Sequence, residues 1–571
     1  MEGEMAPDRR FRARRDDESM HRIGEEEQRR PGASRRARSP STGMDLALAP
    51  SAVVRRCANP YARLAFGGAL RMTDPAVLNR VHIHCEGLDT PLRVLRMRGR
   101  ETLSQPFEFV VEVETEDDIP LIFDDLDAMM GAPTTLSFGP DAEYPIHGVV
   151  REATVLPIRG HGSNAYRLRL VPRLYDTRLT RGSWIYLDQK PAEIIEAALA
   201  HCGDAALQPG DDYELTLEGS YNPREYVVQY EESVFSFISR QAEHWGLFYF
   251  FDHVGDRDKL VFGDTNAAFP QLEGFEEIAF DTRAGRSEEE TVREIGMIQR
   301  MVEKDISLRE YNYRIPSVTL VTEAQEIDPT GIGSVHVTGD HFWTPDEGTM
   351  MARLRAEELA SHRRRMRAIT TVRGLRAGHR FALTGAAPEG HGLAREYVVV
   401  SATHSTSSPG HSSSSGAGPG ASDAGLQYWN EVELLPVELA FRPPLITPKP
   451  RIHGVMHARI DAEAPDDTNV PVDEWGRYKV IMPFDVAGAA GGRSSCWIRP
   501  AYPSGGGGWG FALGHHVETE VVIFHIDGDP DRPVIAGAAP NFEQPSTVRT
   551  ENAQQGVIAS RHGIAITLSD S

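Results

Sequence analysis

The sequence predicts a mainly β protein with a few helices, divided into several domains of which the last is a small barrel of short strands. Three observations predict it. From about residue 77 short runs alternate apolar and polar residues, as in Phe107-Glu108-Phe109-Val110-Val111-Glu112-Val113, and a period of two marks a strand with one face buried. Gly and Pro punctuate these runs, which favours barrels or sandwiches. The proline-studded stretch from Phe441 to Pro450 reads as an extended, semi-rigid connector ahead of a separate compact β pattern.

The elements follow in chain order. Residues 1–43 mix Arg9-Arg10 and Arg14-Arg15 with Glu25-Glu26-Glu27 and hold almost no aliphatic residues. Such a segment cannot bury enough apolar surface to offset its ordering entropy, so a solvated tail is expected, or a start placed upstream of Met44. The whole extension 1–76 is expected to be weakly structured. Strand-like runs then lie at Tyr166 to Val171, Glu214 to Leu217, Tyr226 to Tyr230, Phe248 to Phe251, Val318 to Thr322 and Tyr397 to Ser401. In Ser233 to Gly246, residues Val234, Phe237, Ile238, Ala242 and Trp245 fall on one helical face, and Gly246 suits a left-handed cap. Thr349 to Arg367, rich in Ala, Leu, Glu and Arg, reads as a long and mostly exposed helix whose Arg363-Arg364-Arg365 run is a solvated face. The Ser/Gly/Pro segment 405–422 sits between two strand-like runs, so a hairpin insert within one domain is expected. Beyond the connector, runs at Gly454 to Ile460, Gly476 to Met482, Cys496 to Arg499, Glu520 to His525 and Pro533 to Ala536 fit a closed barrel of the oligonucleotide/oligosaccharide-binding (OB) type, though a sandwich would look similar.

Composition narrows the function. A formal net charge of -23, from 83 acidic and 60 basic residues, repels nucleic acid and anionic lipid. Cys57, Cys85, Cys202 and Cys496 show no short spacing and read as free thiols in a reducing compartment. No signal-peptide core or membrane-length apolar run is present, so a cytoplasmic protein is expected, exported if at all by a route that reads no such signal.

Three motifs taken in order carry a resemblance. Val228-Gln229-Tyr230-Glu231-Glu232-Ser233, continuing through Ser239-Arg240 to Gly246 and Phe250, is the first. Ser307-Leu308-Arg309-Glu310-Tyr311-Asn312-Tyr313 is the second. The third runs from Asp473-Glu474-Trp475-Gly476-Arg477 through Cys496-Trp497 and Gly508-Trp509-Gly510 to Gly528-Asp529-Pro530-Asp531-Arg532-Pro533. Together, over roughly residues 77 to 542, they resemble the VgrG spike family of type VI secretion. Gly476 supplies the positive backbone angle of a turn, and Asp529-Pro530 begins a turn before a strand. Trp475, Trp497 and Trp509 are expected chiefly in the core, with a contact to a neighbouring chain as the other reading.

The resemblance implies two hub-type barrel modules in residues 77–440, a connector at 441–450, an OB barrel at 451–542 and the opening of a β-helical needle at 543–571, truncated or very short. It implies a homotrimeric spike whose partners are its own copies, the secretion tube protein, and a tip-sharpening protein or effectors, meeting a target membrane only by mechanical penetration.

A catalytic reading finds little support. No His-Glu-x-x-His helix, Gly-x-Ser-x-Gly elbow or phosphate loop occurs. His82 and His84 alternate on one strand face beside Cys85, but no third ligand can be assigned, and His515-His516 would point to opposite faces. Gly505 to Gly508 reads as a flexible loop, and Asp124-Asp125 does not stand out among many acidic pairs. No cofactor, metal site or catalytic residue is expected. The alternatives are a phage-type tail hub, or an effector enzyme such as a cell-wall hydrolase carried on the scaffold.

Overall fold

A computed structural model describes residues 81–115, 119–139, 142–157, 164–253, 255–281, 290–385, 392–407, 427–463 and 470–569. The expected tail and extension, Met44, Cys57 and most of the 405–422 insert lie outside them.

Alternation of apolar and polar residues closes two barrels. Strands β1 (Val81–Cys85), β2 (Leu92–Thr102), β3 (Gln105–Thr115), β4 (Pro133–Phe138), β5 (Ile146–Val155) and β6 (Ala165–Val171) pair in the order β1-β4-β5-β6-β3-β2, and β1 pairs β2 to shut the ring. In β3 every second residue from Phe107 to Val113 points inward and is buried, as the period of two demands. Helix α1 (Phe123–Met129) lies between β3 and β4.

The chain then leaves the barrel for an insertion. It comprises β7 (Arg181–Gln189), α2 (Pro191–Ala200), β8 (Tyr213–Thr216), β9 (Arg224–Ser233), α3 (Val234–Trp245), β10 (Phe248–Asp252) and β11 (Lys259–Gly263). Ser233 caps α3 by accepting the Ser236 N–H at 3.1 Å, and Gly246 ends it with a φ of 69°. A side chain at Gly246 would also crowd Leu354, its Cβ lying 3.1 Å away. Strand β10 is buried on both faces: Tyr249 and Phe251 join the first core, Phe248 and Phe250 a smaller one with Val398, Val400 and Phe441.

The second barrel uses β12 (Glu277–Phe280) and β13 (Val292–Gln299), followed by a small sheet of β14 (Asp305–Glu310), β15 (Leu320–Val321), β16 (Gln325–Glu326) and β17 (Ser334–Thr338). Helix α4 (Pro345–Ser361) then leads to β18 (Arg364–Thr370), β19 (Arg380–Gly385), β20 (Glu396–Ser407) and β21 (Gln427–Pro436). The ring β20-β19-β12-β13-β18-β21 closes through the β20–β21 hairpin, and β2–β20 pairing fuses the two barrels into one 12-stranded sheet. The Ser/Gly/Pro insert therefore interrupts a hairpin.

Two expectations fail here. The helix expected from Thr349 to Arg367 begins at Pro345, with Thr344 as its cap, and stops at Ser361. Met351, Ala352, Leu354, Arg355 and Ala356 are buried, because α4 packs on β14 and the insertion core. The arginine run is not a solvated helix face: it enters β18, where Arg365 is buried and pairs with Glu433, while Arg363 pairs with the buried Asp328. Helical composition was outweighed by strand pairing with β13 and β21.

The last barrel comprises β22 (Val455–Asp461), β23 (Lys479–Ile481), β26 (Glu520–His525) and β27 (Pro533–Ala538), ordered β23-β22-β26-β27. Single bridges from Tyr478 to Ile498 and from Pro500 to Ile535 complete the circuit through the Cys496 to Pro500 segment. Ile460, Tyr478, Val480, Ile498, Val521, Ile523 and Ile535 fill it. The glycines expected to form a flexible loop instead build a hairpin of β24 (Ser504–Gly506) and β25 (Trp509–Phe511), and the Trp509 indole lies against Gly506, where a Cβ would come within 2.5 Å. A second exposed hairpin, β28 (Gln555–Ala559) with β29 (Ala565–Ser569), follows the barrel.

Gly99 on β2 faces Phe109, and a Cβ there would lie 2.0 Å from its ring. Gly99→Val should destabilise the fold by roughly 1–3 kcal/mol, lowering the melting temperature. The exposed Gly296→Ala, with nothing within 4 Å of its new Cβ, should leave melting nearly unchanged.

Candidate functional site: the junction between the hub and the last barrel

The three motifs, far apart in sequence, meet at one polar junction. Asp529 to Arg532 form a tight turn closed by the Arg532 N–H donating to the Asp529 carbonyl at 2.9 Å. Asp529 Oδ1 accepts the Asp531 N–H at 3.0 Å, and Pro530 is buried beneath, so both carboxylates are held facing the hub. Gly528 precedes the turn with a φ of 71° and accepts the Ile452 N–H at 2.8 Å.

Each group of the turn then meets a partner from the hub or connector. Asp531 accepts the Val228 N–H of β9 at 2.7 Å and Lys449 Nζ at 2.6 Å. Lys449 also reaches Asp529 at 2.6 Å, and His341 Nε2 lies 2.5 Å from the other Asp529 oxygen. Arg532 Nη2 donates to Glu310 at 2.5 Å, and the Glu310 carboxylate also accepts the Tyr311 and His341 N–H groups. His341 has a φ of 58°, and its carbonyl accepts Arg224 Nη2 at 2.6 Å. Arg224 continues to Glu347 at 2.6 Å, between the Trp245 and Trp343 rings.

Behind β9, Arg240 on α3 forks onto Glu232 and also donates to the Val228 carbonyl at 2.8 Å. Val228 is thus held by its N–H from the barrel and by its carbonyl from the hub. The connector is docked as well. Glu243 accepts the Ile446 and Thr447 N–H groups and the Thr447 hydroxyl, at 3.1, 2.8 and 2.6 Å. Arg442 donates to Glu357 at 2.7 Å and to the Gly246 and Asp264 carbonyls.

Charge is matched throughout. Burial works to raise Asp529, yet Lys449 and His341 beside it hold its carboxyl far below the ordinary range. Burial, with Lys449 adding to it, lowers His341 against the opposing pull of Asp529, and the Nε2–H donates to the carboxylate, which can only accept. Burial likewise lowers His525, at the end of β26, to about 4, against the opposing pull of Asp529 and Asp531. The lock brings together groups suited to holding two bodies in register. Among the described residues no three His, Cys, Asp or Glu groups are placed to hold a metal. His82 and His84 lie on β1, half-buried and exposed respectively, with Cys85 buried on the opposite face.

Beside the lock opens a cleft of about 620 Å³ lined by Arg309, Tyr311, Trp343, Trp497 and Arg532 among others. Arg477 donates to Asp473 at 2.7 Å and to the Tyr313 hydroxyl at 3.1 Å, tying the Gly476 turn, whose φ is 75°, to the second motif. Tyr230 meets Phe484 of the barrel edge to face, with ring centroids 5.4 Å apart. Ser239 is buried in α3, and Arg309 and Tyr311 are exposed on the cleft rim.

The tryptophans depart from expectation. Trp475 is 75% exposed and Trp509 68%, so neither is core; Trp497 is half-buried with Lys479 over its ring. Both exposed indoles sit on turns or hairpins projecting from the barrel, Trp509 beside Gly510, whose φ is 145°. Glu310, His341, Glu347, Lys449 and Arg224 escaped the sequence reading. Glu310 lay inside the second motif and Lys449 inside the connector, but neither position reveals a partner.

Comparison with known proteins agrees with this architecture. Residues 100–410 match the family described as phage tail baseplate hub (GPD), and residues 472–539 that of the type VI secretion system/phage-baseplate injector OB domain. The chain belongs to the baseplate hub family. It is 29% identical over 486 residues to the type VI secretion system spike protein VgrG1b of Pseudomonas aeruginosa, covering 82% of this chain and 61% of that protein. It is 27% identical to the actin cross-linking toxin VgrG1 of Vibrio cholerae, covering 83% of this chain and 44% of the toxin. The chain thus spans only part of the length of these relatives. Among solved structures, an E. coli type VI secretion component, described as similar to the T4 bacteriophage tail proteins gp27 and gp5, shares the fold with a TM-score of 0.56 and 21% identity over 80% of this chain and 99% of that one.

Arg532→Ala would leave the buried Glu310 without its charge partner, and should destabilise the docked barrel by roughly 3 kcal/mol, read as a lower melting temperature and faster proteolysis in residues 441–450. His525 binds its proton less readily folded than unfolded, so its contribution is full above pH 6.5 and is lost as pH falls towards 4. The melting temperature should fall over that window, and His525→Gln should flatten the slope by about one proton.

Proposed function

We propose that the chain is a structural component of a type VI secretion spike, a trimeric hub at the tip of the secretion tube that helps deliver effectors. The observation carrying this reading is the lock, which joins a two-barrel hub to an injector-type barrel without a free linker. In it, residues 77–440 are the hub, 441–450 a docked connector, 451–542 the OB barrel and 543–571 the opening of a needle. The partners are two further copies, the tube protein, and a tip-sharpening protein or effectors.

Exposed apolar groups support the trimer. Trp475, Trp509 and Phe511 project from the barrel, and Ile564, Ile566 and Leu568 stand along the last hairpin. Such groups are stable on an isolated chain only at a cost that association removes. Tyr230, Ser239, Arg240, Gly246 and the turn from Gly528 to Pro533 act in this reading as positioning groups for the fold, and the chain itself is non-enzymatic. No helix among the described residues is long and apolar enough to cross a membrane, which fits assembly in the cytoplasm.

Light scattering on purified protein at micromolar concentration should give three times the chain mass; a folded monomer alone would overturn the reading. Trp475→Ala combined with Trp509→Ala should shift that equilibrium towards monomer while leaving the far-ultraviolet circular dichroism unchanged.

A further inference from the structure

The two fused barrels share one outward face, and its charges are distributed unevenly. On the first barrel Glu108 pairs with Arg169, Glu112 with Arg167, and Glu114 with Arg93. On the second, Glu431 pairs with Arg367 and Glu433 with Arg365. Between these ladders runs β2, the strand at the seam. A bulge between Val94 and Arg96 resets its alternation, so Met97, Gly99 and Glu101 point inward and Arg96, Arg98 and Arg100 point outward, all exposed.

These three arginines form no ion pair among the described residues, and the one side-chain hydrogen bond among them runs from Arg100 to the Thr102 hydroxyl at 3.3 Å. Across the seam the neighbouring strand offers hydroxyls: Arg98 is registered with Ser405 and Arg100 with Thr403. A groove of about 630 Å³ lies over the row, lined by Arg96, Arg98, Arg100 and Thr403, with Glu108 and Glu112 at its side. On its other side β2 is registered with β3, Arg96 opposite Glu112 and Arg100 opposite Glu108, and those two carboxylates are shared with Arg167 and Arg169. Five guanidinium groups thus meet two carboxylates, a local excess of positive charge in a chain of net charge -23.

We propose that this groove binds an acidic polypeptide segment in extended conformation, its carboxylates meeting Arg96, Arg98 and Arg100 in turn. Alternate positions of a strand recur at about 6.8 Å, and an extended segment with an acid at every second residue has the same repeat. A nucleic acid fits less well, because a strand longer than the groove would be repelled over the rest of a chain of net charge -23. The inference goes beyond the spike reading and does not depend on it, since the groove lies on the hub face and within one chain.

The test uses the full chain at about 50 mM salt, where screening is weak. A fluorescent heptapeptide alternating Glu and Ser is titrated by anisotropy, alongside a Lys and Ser counterpart and an oligothymidylate of equal charge. Saturable binding of the acidic peptide alone is expected, weakening with salt and falling roughly tenfold in the triple variant Arg96→Gln, Arg98→Gln, Arg100→Gln. Arg98→Gln by itself should weaken binding several-fold and serves if the triple variant fails to fold. Absence of saturable binding, equal binding by the folded variants, or tighter binding of the oligothymidylate would overturn the proposal. So would loss of self-association in the variants without any peptide binding, which would assign the row to a contact between copies.

Discussion

Everything in this molecule hangs on the pairing of β2 with β20. That seam turns two separately closed rings into one sheet, and it does so over a buried charge. Glu101, inward on β2, lies 3.3 Å from His404 of β20 and 3.6 Å from Arg376, and accepts the Ala377 N–H. Burial works against its ionisation, yet His404 and Arg376 hold the carboxyl down at about 2. An apolar pair could fill the same volume, but it would not fix which residue of β2 faces which residue of β20. Charge and hydrogen-bond geometry set that register, and the groove of arginines above inherits its spacing.

The insertion and the last barrel are positioned by the same logic at a second place. Strand β10 is apolar on both faces and so cements the insertion between the two barrels. The acidic turn at Asp529 and Asp531 then meets Lys449, which bridges both carboxylates, His341 on Asp529 and the Val228 amide on Asp531. Because Glu243 and Arg442 dock the connector onto α3 and its cap, the proline-rich stretch works as a splint laid along the hub and not as a tether.

Much of this fold was legible in the sequence because it is local. Alternation over β3 and β6, the unbroken apolar run of β10 and the Ser233 and Gly246 caps of α3 depend only on neighbouring residues. The end of α4 was misread for the complementary reason: Arg363 to Arg367 have helical composition, and what makes them strand is pairing with β13 and β21. The tryptophans misled because an indole's size predicts burial without saying against which chain. The lock was half visible. Its acidic turn stands out, but His341 pairs with Asp529 across 188 residues and Arg532 with Glu310 across 222, and no spacing rule reaches that far.

The seam also sets an order of events during synthesis. The Met97 amide finds its partner, the Thr406 hydroxyl, only 309 residues later. At ordinary translation speeds of roughly 5–20 residues per second, the free half of β2 waits tens of seconds as an open edge while the insertion, α4 and most of the second barrel are being made. An edge of that kind invites pairing with other nascent chains. The exposed row of like charges along β2 opposes such pairing, because a second copy would bring the same charges against it.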